Sequence, residues 1–254
     1  MNMPANSFKK ALREGRPQIG LWCSACSNLT AEVIAGAGFD WILIDTEHAP
    51  NELPMVISQM QALGGGTAAP VVRPAWNDLV LIKRLLDAGA QNLLIPYVQS
   101  VEEARSAVAA VRYPPRGVRG VAVLHRANRF GRIKDYLDRA DDEICLLVQV
   151  ETRAGLDHLE AIAAVDGVDG LFIGPSDLAA ALGHRGDNGH EEVRAAIADA
   201  VRRICRAGKA AGILAPLEAD ARQWLAQGCT VVAVGSDVGL LARSTEALAA
   251  KFRT

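Results

Sequence analysis

The sequence predicts a (β/α)8 barrel, on three observations. First, apolar runs open on glycine again and again: "GFDWILID" from Gly38, "GAQNLLIP" from Gly89, "GVDGLFIG" from Gly167 and "GCTVVAVG" from Gly228. Second, these runs are apolar throughout rather than alternating, the pattern of parallel strands covered on both faces. Third, four similar runs, "QIGLWC" (18–23), "APVVRP" (69–74), "ICLLVQVE" (144–151) and "GILAP" (212–216), bring the strands to eight, with helical segments between them. Eight strands alternating with helices fit a closed barrel most economically. An open doubly wound sheet is the alternative. No glycine-rich dinucleotide fingerprint follows the first strand, which lowers that alternative, and no nucleotide cofactor is expected.

In chain order, an N-terminal helix leads into the first strand. Gly38, Gly89 and Gly228 follow Ala- and Leu-rich segments, and a glycine there suits the left-handed turn that ends a helix. The second strand, in "WILIDTEHAP", leaves the core and ends in Asp45, Glu47 and His48. The third, "VVRP", embeds Arg73 between valines and a proline, where an arginine needs an anionic partner. "NDLVLIKRLLDAG" reads as a helix over about 78–88, ending at Gly89 before the fourth strand. Its last turn carries Asp87, an acid where the helix dipole disfavours one. "YPPRGVRGVAVLHRANRFG" (113–131) is long, basic and turn-rich, and is expected to be an elaborated loop over the active-site face. The fifth strand ends in Gln149 and Glu151, the sixth in "GPSD" with Ser176 and Asp177, and the eighth in "GSD" with Ser236 and Asp237. A C-terminal helix closes the chain.

A chain of 254 residues suits one barrel domain over 1–254. Its core is large enough to need neither disulfides nor a structural metal. A net charge of -2 argues against nucleic acid or a membrane surface as partner. The start, "MNMPANSFKKALREG", lacks a signal peptide's apolar region, and no apolar run is long enough to span a bilayer, so the cytoplasm is the expected location. Five cysteines, Cys23, Cys26, Cys145, Cys205 and Cys229, read as free thiols. "CSAC" lacks the second pair that a zinc site needs, so it reads as two small residues at a strand end.

In a barrel the chemistry sits where strands end and βα loops begin. Glu151 and Asp177 end consecutive strands, which lie ~4.8 Å apart, so their carboxylates can share one ion. Two carboxylates without a Cys or His cluster suit a hard divalent cation. They can equally be solvated loop acids, with Asp177 only capping the following helix, and position alone does not decide. "GPSD" adds weight, because a helix start after a Gly-Pro turn exposes N–H groups that can hold a carboxylate. Lysine placement excludes one chemistry. A Schiff-base aldolase needs a lysine facing inward at a strand end. Lys9, Lys10, Lys83, Lys134, Lys209 and Lys251 all lie in predicted helices or their flanks, so a metal must do the polarising.

"DTEHAPN", "VVRP", "LLDAGAQNLLIPYV", "PPRGVRG", "VQVETRAG" and "VDGVDGLFIGPSDLA", in this order along most of the chain, resemble the HpcH/HpaI aldolase family, the class II pyruvate aldolases of the phosphoenolpyruvate/pyruvate barrel superfamily. The resemblance implies reversible aldol cleavage of a 4-hydroxy-2-oxo acid to pyruvate and an aldehyde, through a metal-bound pyruvate enolate. It implies that Glu151 and Asp177 bind Mg²⁺, Mn²⁺ or Co²⁺ and that Arg73 contacts the keto oxygen. His48 would belong to the acid–base apparatus, with Asp45 nearby and Asp87 as its partner. Ser176 would lend its N–H to the pyruvate carboxylate, and Gln149 would line the pocket. It also implies a homo-oligomer, a hexamer with shared active sites, in which the N- and C-terminal helices make contacts.

Two other readings stand beside this one. A decarboxylase or acyl-CoA lyase would use the same enolate, and a barrel that binds a small acid would catalyse nothing. Asp87 raises its own question. It ends a helix at the bottom of the barrel, while His48 lies at the top, about 20 Å away along a strand. Either Asp87 buttresses its helix end, or it reaches His48 of a neighbouring subunit.

Overall fold

The computed structural model describes residues 1–253. Helix α1 (Ser7–Arg13) precedes β1 (Gln18–Cys23), α2 (Asn28–Ala35), β2 (Trp41–Asp45), α3 (Leu53–Leu63) and β3 (Ala69–Arg73). Then come α4 (Leu79–Asp87), β4 (Asn92–Ile95), α5 (Val101–Val111), α6 (Tyr136–Arg139) and β5 (Cys145–Val150). After β5 follow α7 (Arg153–Asp157), α8 (Leu159–Ala163), β6 (Gly170–Ile173), α9 (Pro175–Ala181) and α10 (Glu191–Arg206). The chain ends with β7 (Ala210–Leu214), α11 (Glu218–Ala226), β8 (Val231–Ser236) and α12 (Asp237–Ala250). Each strand pairs in parallel with the next, and β8 pairs with β1, so the barrel closes in sequence order. The eight expected strands and the (β/α)8 architecture are all present. Gly89 and Gly228 take positive φ values of 103° and 104° directly after the caps of α4 and α11. Among the described residues, no helix is long and apolar enough to cross a membrane.

The barrel interior is packed with aromatic rings. Trp22, Trp41 and Phe172 meet with ring centroids 5.6–6.5 Å apart, and Phe8 of α1 approaches Trp41 from below at 6.1 Å. Large rings fit because the adjacent strands carry glycine at their register partners, Gly20 beside Trp41 and Gly212 beside Phe172. A Cβ on Gly20 would lie 2.1 Å from the Trp41 ring, and one on Gly212 would lie 2.4 Å from Phe172. A second apolar layer fills the space between the strands and the outer helices.

Two placements differ from expectation or extend it. Segment 113–131 does not cover the active-site face. It follows α5 on the return toward β5, so it lies at the N-terminal end of the strands. There the Ala127 N–H donates to the Asp87 carbonyl at 3.1 Å and Arg126 to the Ala88 carbonyl at 2.7 Å. Length and basicity suggested a loop; only the phase of the βα alternation says which face it serves. Its Val121, Val123, Leu124 and Phe130 are exposed. Helix α12 buries only Asp237, at its first position, and leaves Val238, Leu240, Leu241 and Leu248 in solvent.

Gly20→Ala should lower stability by about 1–3 kcal/mol, because the added methyl must displace a fully buried indole. Gly36→Ala, where an added Cβ meets nothing within 4 Å, should change it little. Urea denaturation of both variants checks this.

Candidate active site

At the C-terminal ends of β2 and β3, Asp45 and Arg73 are register partners. Arg73 Nε donates to Asp45 Oδ1 at 2.9 Å and Nη2 to Oδ2 at 2.7 Å, a bidentate pair with both residues buried. The anionic partner that "VVRP" demanded is therefore next door in the sheet. The Thr46 N–H and hydroxyl both donate to the Arg73 carbonyl, at 3.0 and 2.7 Å, and pin the two strand ends together. The Arg73 guanidinium lies over the Trp22 ring, 5.2 Å from its centroid, so the aromatic core of the barrel forms its floor. Burial alone would raise the Asp45 carboxyl. The hydrogen bonds and charge of Arg73, with N–H groups from Glu47 and His48, outweigh it and hold the group below its ordinary value.

Glu47 turns back into the pocket instead of meeting solvent. Its Oε2 lies 2.8 Å from Arg73 Nη1, an ion contact off the hydrogen-bond direction, so that oxygen is buried without a hydrogen bond. Burial raises the Glu47 carboxyl, with further upward pressure from Asp45 and Asp177, against the opposing charges of Arg73 and His48. The His48 side chain is 65% exposed, and its Nε2 lies 3.9 Å from Glu47 Oε1.

Glu151 follows β5 and is buried without a basic partner. Its Oε1 accepts from the Tyr97 N–H at 3.0 Å, and its Oε2 accepts from Gln149 Nε2. Gln149 Oε1 takes a long hydrogen bond of 3.4 Å from Arg73 Nη1, so Gln149 links the arginine to the acid. Burial, then the charges of Asp177 and Glu47, push the Glu151 carboxyl up to about 7, against the hydrogen bonds from Gln149 and Tyr97. Asp177 sits in the first turn of α9, exposed; the cap position is Gly174, so Asp177 does not serve as cap. Ser176, beside it, accepts from Asn188 through its hydroxyl at 3.1 Å.

Asp87 is not near these residues. At the end of α4 it accepts from Arg119 Nη2 at 2.8 Å. The remaining site residues come together: Asp45, Glu47, His48, Arg73, Gln149 and Glu151 lie at C-terminal strand ends or the loops that follow, and Ser176 and Asp177 in the first turn of α9 directly after β6. Cys23 ends β1 as a buried free thiol, as the plain reading of "CSAC" has it. The lysines lie in helices, beside them, or in the 113–135 segment.

Two residues escaped the sequence reading. A Cβ on Gly174 would fall 2.2 Å from Glu151 Oε2 and 2.8 Å from Gln149 Nε2, so only glycine leaves room for the acid. Tyr97 takes φ +58°, a left-handed conformation that costs a non-glycine residue about 1–3 kcal/mol and here aims its N–H at Glu151. The glycine of "GPSD" was visible, but its neighbour on the adjacent strand was not.

The pocket therefore gathers one buried guanidinium and four carboxyl groups, those of Asp45, Glu47, Glu151 and Asp177. Such an excess of acid suits a hard divalent cation, and Glu151, buried without a basic partner, could hold one together with Asp177. They form a pair rather than a cage. Among the described residues, the one trio of His, Cys, Asp or Glu whose donor atoms all lie within 4.8 Å is His184, His190 and Glu192, in the loop after α9 and the first turn of α10.

A model of the HpcH/HpaI aldolase/citrate lyase family matches residues 18–244. The chain belongs to this family. It is 58% identical over its full length, and the relative's, to a pyruvate aldolase of Rhizobium etli. It is also 58% identical to a 4-hydroxy-2-oxo-heptane-1,7-dioate aldolase of Klebsiella pneumoniae, over 97% of this chain and 94% of that one. The crystal structure of an HpcH/HpaI family protein from Burkholderia cenocepacia superposes with a TM-score of 0.95 at 43% identity, covering 98% of this chain and all of the other. As a member of the HpcH/HpaI family with aldolase relatives, the chain is an enzyme, a lyase of the aldolase type.

Gly174→Ala should weaken Mn²⁺ binding about 10- to 100-fold while the barrel stays folded, because the methyl displaces Glu151. Mn²⁺ titration alongside circular dichroism checks this. The raised Glu151 carboxyl sets a pH dependence. In the metal-free protein it holds its proton below about 7, so a metal that bound there would have to release that proton. Affinity should therefore fall as pH drops, by about tenfold per unit at the limit, and level off above about 7. An affinity constant across that range would contradict it.

Proposed function

We propose that the chain catalyses the divalent-metal-dependent, reversible aldol cleavage of a 4-hydroxy-2-oxo acid to pyruvate and an aldehyde. The observation that carries this is the charge imbalance of the pocket. An anionic substrate has no reason to enter a cleft of four carboxyl groups and one arginine unless a cation joins them. Glu151 and Asp177 would hold that cation, Mg²⁺, Mn²⁺ or Co²⁺. When bound, it would supply Lewis-acid polarisation of the 2-oxo acid's keto oxygen.

The chain's own residues do the rest. Asp45 takes two donors of Arg73, on Nε and Nη2, and leaves Nη1 with only a long bond to Gln149 and an unaligned contact with Glu47. That N–H edge is therefore free to meet the keto oxygen, where negative charge grows as the enolate forms. Gln149 keeps Glu151 and Arg73 in fixed relation. The start of α9 presents Ser176, whose N–H would hold the substrate carboxylate. His48, exposed beside the pocket, removes the proton of the 4-hydroxyl. The C3–C4 bond then breaks, its electron pair passes to pyruvate as the enolate, and the aldehyde leaves. The proton that His48 took up is returned through solvent to C3, which completes pyruvate and restores the neutral imidazole.

We further propose a homo-oligomer with shared sites, a hexamer, in which Asp87 of one subunit partners His48 of the next. Exposed apolar residues on 118–130, close to Asp87, and the unpacked apolar side of α12 support a protomer built to be covered. His48 is exposed and Asp87 retains some exposure, as residues that meet across an interface must.

Release of pyruvate from a 4-hydroxy-2-oxo acid should stop with a chelator and return with added Mg²⁺ or Mn²⁺. Arg73→Ala should lower kcat more than it raises KM, and Arg73→Lys should not restore it, since one ammonium cannot reproduce the guanidinium's planar array of donors. An Arg73→Lys enzyme with normal kcat would remove that role. Inactive His48→Ala and Asp87→Ala subunits, mixed under exchange, should recover up to about a quarter of wild-type activity, the share of sites that draw both intact halves.

A further inference from the structure

Arg119 is fully buried, yet two of its three guanidine-group nitrogens, Nε and Nη1, find no hydrogen-bond partner among the described residues. Such a group costs stability unless something else holds it. Two aromatic rings do so in part. Its guanidinium carbon lies 4.4 Å from the Tyr113 ring centroid and 5.9 Å from that of Tyr136. Burial pushes both phenols up, so they stay neutral at ordinary pH. The carboxylate bonded to it is that of Asp87, through Nη2 to Oδ1 at 2.8 Å; Nη2 also reaches the Tyr136 hydroxyl at 3.4 Å.

The ion pair is lopsided. Arg119 has no exposure at all, whereas the Asp87 side chain keeps 23%. Only Oδ1 is held; Oδ2 accepts no hydrogen bond among the described residues. Asp87 also ends α4, where the helix dipole repels an acid. A cation sealed behind it offsets that repulsion. The backbone there is fastened to the same segment, by Ala127 to the Asp87 carbonyl and Arg126 to the Ala88 carbonyl. The carboxylate is thus charged, fixed by one oxygen, and open at the other toward the outside of the barrel.

We infer that Arg119 is the positioning residue that presents Asp87 to His48 of a neighbouring subunit. The inference rests on the shared-site reading above and adds the second half of its donor side. Arg119, clamped by Tyr113 and Tyr136, sets the rotamer of Asp87, and Oδ2 is left to receive the imidazole N–H. The wrapping segment 113–139 thereby serves the chemistry from the face opposite the pocket. It orients an acid for the next subunit's site.

Arg119→Met and Arg119→Lys separate positioning from packing. Methionine fills space between the tyrosines without charge; lysine keeps a cation that can hold one oxygen. If Arg119 positions Asp87, the Met variant loses about 10- to 100-fold in kcat for aldol cleavage, with pyruvate still binding every protomer at wild-type affinity, and the Lys variant recovers much of the loss. If it only packs, Met retains kcat, and the inference fails. Subunit mixing gives an independent arm. Arg119→Met subunits mixed with His48→Ala subunits should regain activity, because the first supply His48 and the second an intact Arg119 and Asp87. Arg119→Met mixed with Asp87→Ala should regain none beyond the residual activity of the Met variant, since both lack the donor half. Recovery in that second mixture overturns the role of Arg119 even where His48→Ala and Asp87→Ala complement each other. Failure of that last pair, in mixed assemblies shown to form, instead overturns the shared site itself.

Discussion

The buried charge of Arg73 is the constraint on which the active-site end of the barrel depends. A guanidinium with almost no water must be met by acid on one side and an aromatic face on another. Asp45 meets it through strand register, Glu47 through the fold-back of the loop after β2, and Trp22 from below. A one-residue slip between β2 and β3 would turn the carboxylate to the other face of the sheet and leave the cation alone. The Thr46 bonds to the Arg73 carbonyl guard against that slip. Depth matters as well. Trp22 can floor the pocket because Trp41 and Phe172 fill the barrel beneath it, and they fit because Gly20 and Gly212 leave room.

The acids around Arg73 outnumber it, and the fold spends stability to keep them there. Glu151 is buried with only amide donors, Tyr97 is strained to supply one of them, and Gly174 gives up a side chain to make space. None of this is favourable for a bare protein; each feature would become favourable with the cation of the proposed function in place. A buried guanidinium recurs at the opposite end of the barrel, where Arg119 is sealed behind Asp87 and the carboxylate keeps the pair's exposed side. In the proposed function, the acids of one face would hold an ion and the acid of the other would meet a neighbour.

The amino-acid order by itself determined the architecture. Continuous apolar runs, glycines after helices and polar residues confined to strand ends have one economical solution, and all eight strands appear where the runs are. It also determined which side chains gather at the top, because strand ends in a parallel barrel share one face: Asp45, Arg73, Gln149, Glu151 and the "GPSD" turn need no further information to be brought together. The resemblance carried by "VVRP", "VQVE" and "GPSD" led to the same family that the full-length comparisons identify.

Only the tertiary structure decided what touches what. That Glu47 is buried against Arg73 and not solvated depends on how the loop after β2 folds back, which no local pattern encodes. Gly174 matters because Glu151 from the adjacent strand passes 2.2 Å from where its Cβ would be. Segment 113–131 lies at the bottom because the chain has just descended α5, and its basic composition says nothing about direction. Arg119 was one arginine among several in that segment. Its meaning comes from being enclosed between Tyr113 and Tyr136 with Asp87 as its carboxylate, a contact across 32 residues of sequence. Periodicity reports burial and direction along one element. Pairing between elements depends on the angle and depth at which they pack, and those are set by the whole core at once.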